Sequence, residues 1–116
     1  MPAASDYPQW TVPDLLRRSA SRFPDSPALH FYGTTLSYRE LNALTTRFAL
    51  ALRKLGVQTG ERVALMLPNI PQAVIAYYGA MKAGAVVVPM NPLYVEREIQ
   101  TQLADSGSET IVALDL

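Results

Sequence analysis

The run MKAGAVVVPMNPLY at residues 81–94 sets a helix stop, a strand and a second break side by side. Lys82-Ala83-Gly84 closes a helix on a residue free to turn left-handed. Gly84 is expected in that left-handed conformation, where a side chain would cost about 1 kcal/mol or more. Val86-Val87-Val88 is β-branched throughout and has no polar alternate, the pattern of a strand covered on both faces. Pro89 and Pro92 then stiffen the exit around Met90-Asn91.

The same order recurs outward from this stretch. Upstream, Arg62–Leu67 reads as a strand, Pro68-Asn69 breaks it, and Pro71 opens a helix rich in Ala, Val, Ile and Tyr that runs into Lys82. Downstream, Val95–Ala104 reads as a helix with Ile99 and Leu103 on one side, Ser106-Gly107 ends it, and Thr110–Leu114 is a strand. Earlier still, Ser37 and Glu40 have capping-box spacing. Leu41, Leu44, Phe48, Leu52 and Leu55 follow at helical steps, with Arg39, Arg47 and Arg53 off that side and Lys54-Leu55-Gly56 closing the helix. Three helix, glycine, strand units in succession are most simply joined by right-handed crossovers into a parallel sheet. The expected class is α/β, three-layered, a mostly parallel sheet with helices on both faces.

Two further elements precede these units. Thr11, Pro13 and Asp14 start a helix expected over about Val12–Arg22, with Leu15, Leu16 and Phe23 on its apolar side and Pro24 after it. Ala28–Phe31 and Thr35–Tyr38 flank Tyr32-Gly33-Thr34 as a short N-terminal hairpin, with Leu29 and Phe31 on its buried face. Residues 1–10 are expected to be a tail, and residues 11–116 one α/β subdomain.

Composition narrows the partners. With 116 residues, 49% of them apolar, the chain can build one core. Ten basic and ten acidic side chains cancel and are interleaved, so the field that attracts a nucleic-acid backbone is missing. Cysteine is absent, which removes disulfides and thiolate chemistry and fits a reducing compartment; cytoplasm is the expected location. Asp6, Pro8 and Pro13 interrupt any secretory-signal core. Ile70–Met90, interrupted by Pro71, Gln72, Lys82 and two glycines, reads as helix, turn and strand in place of a membrane span.

Candidate chemistry is sparse. Ligands of open α/β sheets gather beyond the carboxyl ends of the strands, here Pro68-Asn69, Pro89–Asn91 and Asp115, of which only Asp115 carries a formal charge. His30, the only histidine, falls opposite Leu29 and Phe31 and is expected to face outward. Glu96 and Glu98 are two apart on a helix, hence on different faces, and cannot act as a paired acid and base. Arg17, Arg18 and Arg22 form a small basic face, read as solvated before it is read as an anion or headgroup site. Tyr77, Tyr78 and Tyr94 read first as core or interface packing. GVQTGER at 56–62 has neither the spacing nor the lysine of a Walker loop and lies before a strand. No catalytic, cofactor-binding or metal-ligating residue is assigned.

Three strings carry a resemblance. LSYREL at 36–41, GERVALMLPN at 60–69 and MKAGAVVVPMNPLY at 81–94 resemble the opening motifs of adenylate-forming acyl-CoA synthetases, and the whole from Thr11 onward is most similar to bacterial long-chain fatty-acid CoA ligases. The resemblance implies a parent enzyme that condenses a carboxylate with ATP to an acyl adenylate and passes the acyl group to coenzyme A, with magnesium. It implies that this chain is the N-terminal part of the adenylation domain, inactive alone, and that the working parts lie beyond Leu116. Its only lysines, Lys54 and Lys82, sit beside helix-ending glycines, so no functional residue of the family is carried over; for Tyr77, Tyr78 and Tyr94 the resemblance adds, as a second reading, the lining of an acyl channel in the intact enzyme. The implied partner is the remainder of the synthetase; homodimerisation through the N-terminal region and peripheral membrane contact stay open. So do two other readings: an interaction segment, and a free-standing α/β binding module of the receiver or flavodoxin kind. The module would need acidic or hydroxyl-rich loops where Pro68, Asn69, Pro89 and Asn91 stand.

Overall fold

Reciprocal caps start the first two helices. The Ser37 hydroxyl accepts from the Glu40 amide at 3.1 Å, while the Glu40 carboxylate accepts from the Ser37 amide at 3.2 Å. Thr11 and Asp14 repeat the arrangement at 3.3 and 3.1 Å. Each such cap contributes about 1 kcal/mol by satisfying amides that the helix itself leaves open. The computed structural model describes residues 11–68, 70–93 and 96–113. The expected 1–10 tail, and the expectations placed on Asn69, Tyr94, Val95, Leu114 and Asp115, fall outside the described residues.

The order is α1 (Val12–Arg22), β1 (Pro27–Phe31), β2 (Thr34–Ser37), α2 (Tyr38–Lys54), β3 (Arg62–Met66), α3 (Pro71–Lys82), β4 (Val86–Pro89), α4 (Glu96–Ser106) and β5 (Thr110–Ala113). β1 and β2 form an antiparallel hairpin turning through Tyr32, at φ +46°, and Gly33, at φ +78°. Tyr38 belongs to α2 and not to the hairpin, because Ser37 is already the cap. β4, β3 and β5 form a parallel sheet in that order, with Val63 beside both Val87 and Thr110.

α2 and α3 cover one face of this sheet. Val63 and Leu65 point into a cluster with Ala49, Leu52, Val57, Ala76, Ala80, Ala83 and Ala85, and Phe48, Leu67, Val87 and Val112 pack against it. Val63 is fully buried, and burial of a side chain that size stabilises by about 2 kcal/mol. Alanines and Gly79 on α3 let the helix lie close to α2. A Cβ at Gly79 would stand 2.7 Å from Phe48 Cδ1 and 3.0 Å from the Thr45 carbonyl oxygen.

The other face of the sheet is less covered than an uninterrupted apolar strand suggests. Ala64 is fully buried there, but Val86 and Ile111 remain 49% and 39% exposed, because among the described residues β4 and β5 are the edges and β3 alone is flanked by two strands. Leu55 departs from its expected place as well. It is 81% exposed at the C-cap of α2, and Val57, just past the left-handed Gly56 at φ +97°, is buried in its stead.

Candidate functional site

Since all three sheet strands run parallel, their carboxyl ends share one edge, where Leu65 pairs with Pro89 and Met66 with Ala113. The Met90 amide donates to the Leu65 carbonyl at 2.8 Å, which ties the exit of β4 to β3. Asn91 turns back on itself: its Oδ1 accepts from the Leu93 amide at 2.9 Å. The described part of this edge therefore offers Pro68, Pro89 and an Asn91 oxygen already engaged, with no ionisable side chain.

The individual candidates stay apart. His30 is exposed, and its Nδ1 lies 2.8 Å from Thr35 Oγ1 across the hairpin. Glu96 and Glu98 are exposed at the start of α4, and Glu96 accepts from Gln100 at 3.5 Å. Tyr77 and Tyr78 form an edge-to-face pair with centroids 6.1 Å apart, Tyr77 being the more exposed. On α1, Arg17 pairs with Asp14 at 2.9 Å and Arg22 lies 5.8 Å from the Phe23 ring centre. Among the described residues no three His, Asp or Glu side chains gather as a metal site would require.

Two hollows remain. One, of about 450 Å3, lies between the hairpin, α2 and the start of α3; Leu29, Phe31, Leu36, Leu44 and Ile75 make it mainly apolar. The other, of about 400 Å3, lies where α1, α2 and the end of α3 meet, and Arg17, Arg53 and Lys82 line it together with Thr46, Thr59 and Gly84. Lys82 Nζ donates to Asn42 Oδ1 at 2.6 Å, to Thr46 Oγ1 at 3.0 Å and to the Asn42 carbonyl at 3.1 Å. Arg53 Nη1 donates to Thr59 Oγ1 and to the Ala83 carbonyl, each at 3.1 Å. Burial first, and the Arg17 charge second, push the Lys82 ammonium down to about 8; the three acceptors around Nζ act in the opposite direction.

Sequence reasoning missed this second hollow. Lys82 appeared only as a helix-ending cation, and nothing local to it announces Asn42 and Thr46, about forty and thirty-six positions earlier. The helical step from Asn42 to Thr46 was the available signal.

A small parallel α/β sheet with two helices laid on one face is the scaffold that the described residues define. Comparison with known proteins makes it specific. A family model described as "AMP-binding enzyme" matches residues 16–115, and the chain belongs to that family. It is 44% identical over its whole length to a long-chain-fatty-acid–CoA ligase of Bacillus subtilis, of which it spans 21%. Among solved structures, an artificially fused adenylation–carrier-protein di-domain, NpsA-ThdA of Klebsiella oxytoca, superposes with a TM-score of 0.91 at 33% identity, over 97% of this chain and 21% of that one. The N-terminal domain of FACL13 from Mycobacterium tuberculosis superposes at 0.80 with 37% identity, over 85% of this chain and 25% of that one. The chain thus spans about a fifth of the length of the curated relatives it matches. Among the described residues no helix is long and apolar enough to cross a membrane.

Proposed function

We propose that this chain is the N-terminal scaffold of a long-chain fatty-acid CoA ligase: it folds, orders the first strands of the adenylation domain, and performs no step alone. The observation that carries this is 44% identity sustained over all 116 residues with a ligase of which they are 21%. The parent reaction is then the one its relatives' name describes, with ATP and coenzyme A as co-substrates. A carboxylate oxygen attacks the α-phosphorus of ATP, pyrophosphate leaves, and the acyl group passes from AMP to the thiol of coenzyme A.

The make-up of the strand edge supports the division of labour. Binding a nucleotide takes several donors or charges aimed at phosphate and ribose, and of Pro68, Pro89 and Asn91 only the Asn91 side-chain amide holds a donor, with no charge beside it. We assign residues 11–116 to one subdomain, the cytoplasm to the parent, and the remaining sheet cover to the rest of the ligase. The handedness of the crossovers supports a third layer. β3 passes through α3 to β4 on one side, and β4 passes through α4 back across to β5 on the other, so right-handed crossovers place α3 and α4 on opposite faces. A second reading, pairing of two copies through this region, rests on the exposure of Val86 and Ile111 at the sheet edges.

The test is a pyrophosphate-release assay on the purified chain with ATP, magnesium, palmitate and coenzyme A, beside a calorimetric ATP titration. The reading expects no turnover and no saturable heat; turnover by the chain alone contradicts it. Light scattering over a concentration series tests the second reading, which fails if the chain stays monomeric.

A further inference from the structure

The hollow at the junction of α1, α2 and α3 has no part in the role proposed above. We propose that it binds a tetrahedral oxyanion of the phosphate class. Three helices bring Arg17, Arg53 and Lys82 to its wall, and no carboxylate lines it. Three like charges around one concavity repel one another, and an anion seated between them relieves that repulsion while gaining charge-assisted hydrogen bonds.

Donor accounting says which group does what. All three Lys82 hydrogens have acceptors on α2, so the ammonium contributes charge and holds the wall in place. Among the described residues Arg53 commits only Nη1, which leaves Nε and Nη2 as a fork suited to two oxygens of one anion. Thr59 Oγ1 accepts from Arg53, so its own hydrogen is available to donate. Thr46, in contrast, spends its hydrogen on the Asn42 carbonyl at 2.9 Å and serves the wall. Arg17 gives Nη1 to Asp14 Oδ1 and keeps its other donors. The Arg17 charge also bears on Lys82, so the two cations are felt across the same hollow.

The bland account is that Arg53 and Lys82 merely satisfy carbonyls of neighbouring helices. It explains their hydrogen bonds, and the Asp14 pair explains one donor of Arg17, but the hollow between the three cations is left without a reason.

The experiment is a titration of the 15N-labelled 116-residue chain, following backbone amide shifts, with inorganic phosphate, methyl phosphate and chloride at matched ionic strength. Saturable shifts at Thr59, Ala83 and Gly84 with phosphate but not chloride are expected. Equal affinity for methyl phosphate identifies the phosphate of a monoester as the ligand, and preference for inorganic phosphate identifies the free ion. Arg53→Gln should weaken binding about tenfold and Arg17→Gln about threefold, the scale of a charge-assisted bond in a part-exposed site. Arg17 is on an exposed helix face, so its variant stays informative if Arg53→Gln disturbs packing. Strictly linear shifts, identical shifts with chloride, or unchanged affinity in the Arg17→Gln variant would overturn the proposal. The readout is occupancy and not turnover, so it stands or falls separately from the scaffold reading.

Discussion

Replacing Gly79 by alanine sets two effects of opposite sign against each other. Propensity favours the change, since alanine in a helix interior is better than glycine by about 1 kcal/mol. Packing opposes it. The new methyl would lie 2.7 Å from Phe48 Cδ1, 2.9 Å from Phe48 Cβ and 3.0 Å from the Thr45 carbonyl oxygen. A flexible side-chain end could swing away, but a Cβ and a backbone oxygen move only with α2 itself. Relief therefore requires α2 and α3 to separate, and these are the two helices that share the most contact in the molecule. The separation would loosen Ala76 and Ala80, which are 2% and 0% exposed. Overpacking of this kind costs about 2–3 kcal/mol, so the net loss is about 1–2 kcal/mol. With a denaturant slope of about 1–1.5 kcal/mol per molar urea for a chain of this size, the urea midpoint should fall by about 1 M. A midpoint that stays level or rises would refute the tight helix contact and show that propensity outweighs packing at this position. In a Phe48→Leu background the cost should shrink, because one of the two obstructing groups is smaller.

Three other outcomes follow from the same geometry. Ser37→Ala removes the hydroxyl that caps the Glu40 amide and should lower stability by about 1 kcal/mol in urea, with the loss of helix signal confined to the start of α2. Gly84→Ala should cost at least about 1–2 kcal/mol, because φ is +85° and the methyl would meet Thr59 Oγ1 at 2.9 Å. Lys82 has its folded ionisation pushed down to about 8 from 10.5. Between those values the unfolded chain holds the proton that the folded one has released, so stability rises with pH across that window. The cost of the charged form is full below pH 8. After allowance for partial solvent exposure the change is about 1 kcal/mol, read as the gap between the native chain and Lys82→Met from pH 7 to pH 10. A gap that does not vary with pH would mean that the three acceptors around Nζ offset burial in full.

Much of the fold was legible because its signals are local. The helix expected over Val12–Arg22 is α1 with those bounds, and the Ser37–Glu40 box, the Pro71 helix start and the left-handed Gly84 all stand where spacing and backbone freedom put them. Parallel pairing of the three later strands followed from the alternation of elements. What escaped depends on contacts distant in sequence. The Val86-Val87-Val88 run looked covered on both sides, yet whether a strand is central or an edge depends on which strands lie beside it. Leu55 fitted the apolar stripe of α2, but the turn through Gly56 carries the chain round so that Val57 takes the buried place. The cation-lined hollow is of the same kind: Arg17, Arg53 and Lys82 are ordinary singly and acquire meaning only where three helices converge.

The central claim is that these residues are interchangeable foundation for a ligase whose chemistry is built elsewhere. A chimera tests it most directly: residues 11–113 of this chain replace the matching segment of the Bacillus subtilis ligase, and palmitoyl-CoA formation is measured beside the parent. The account predicts kcat/KM within about tenfold of the parent, a barrier change near 1.4 kcal/mol. A chimera that folds with the parent's stability yet forms no acyl adenylate would contradict it.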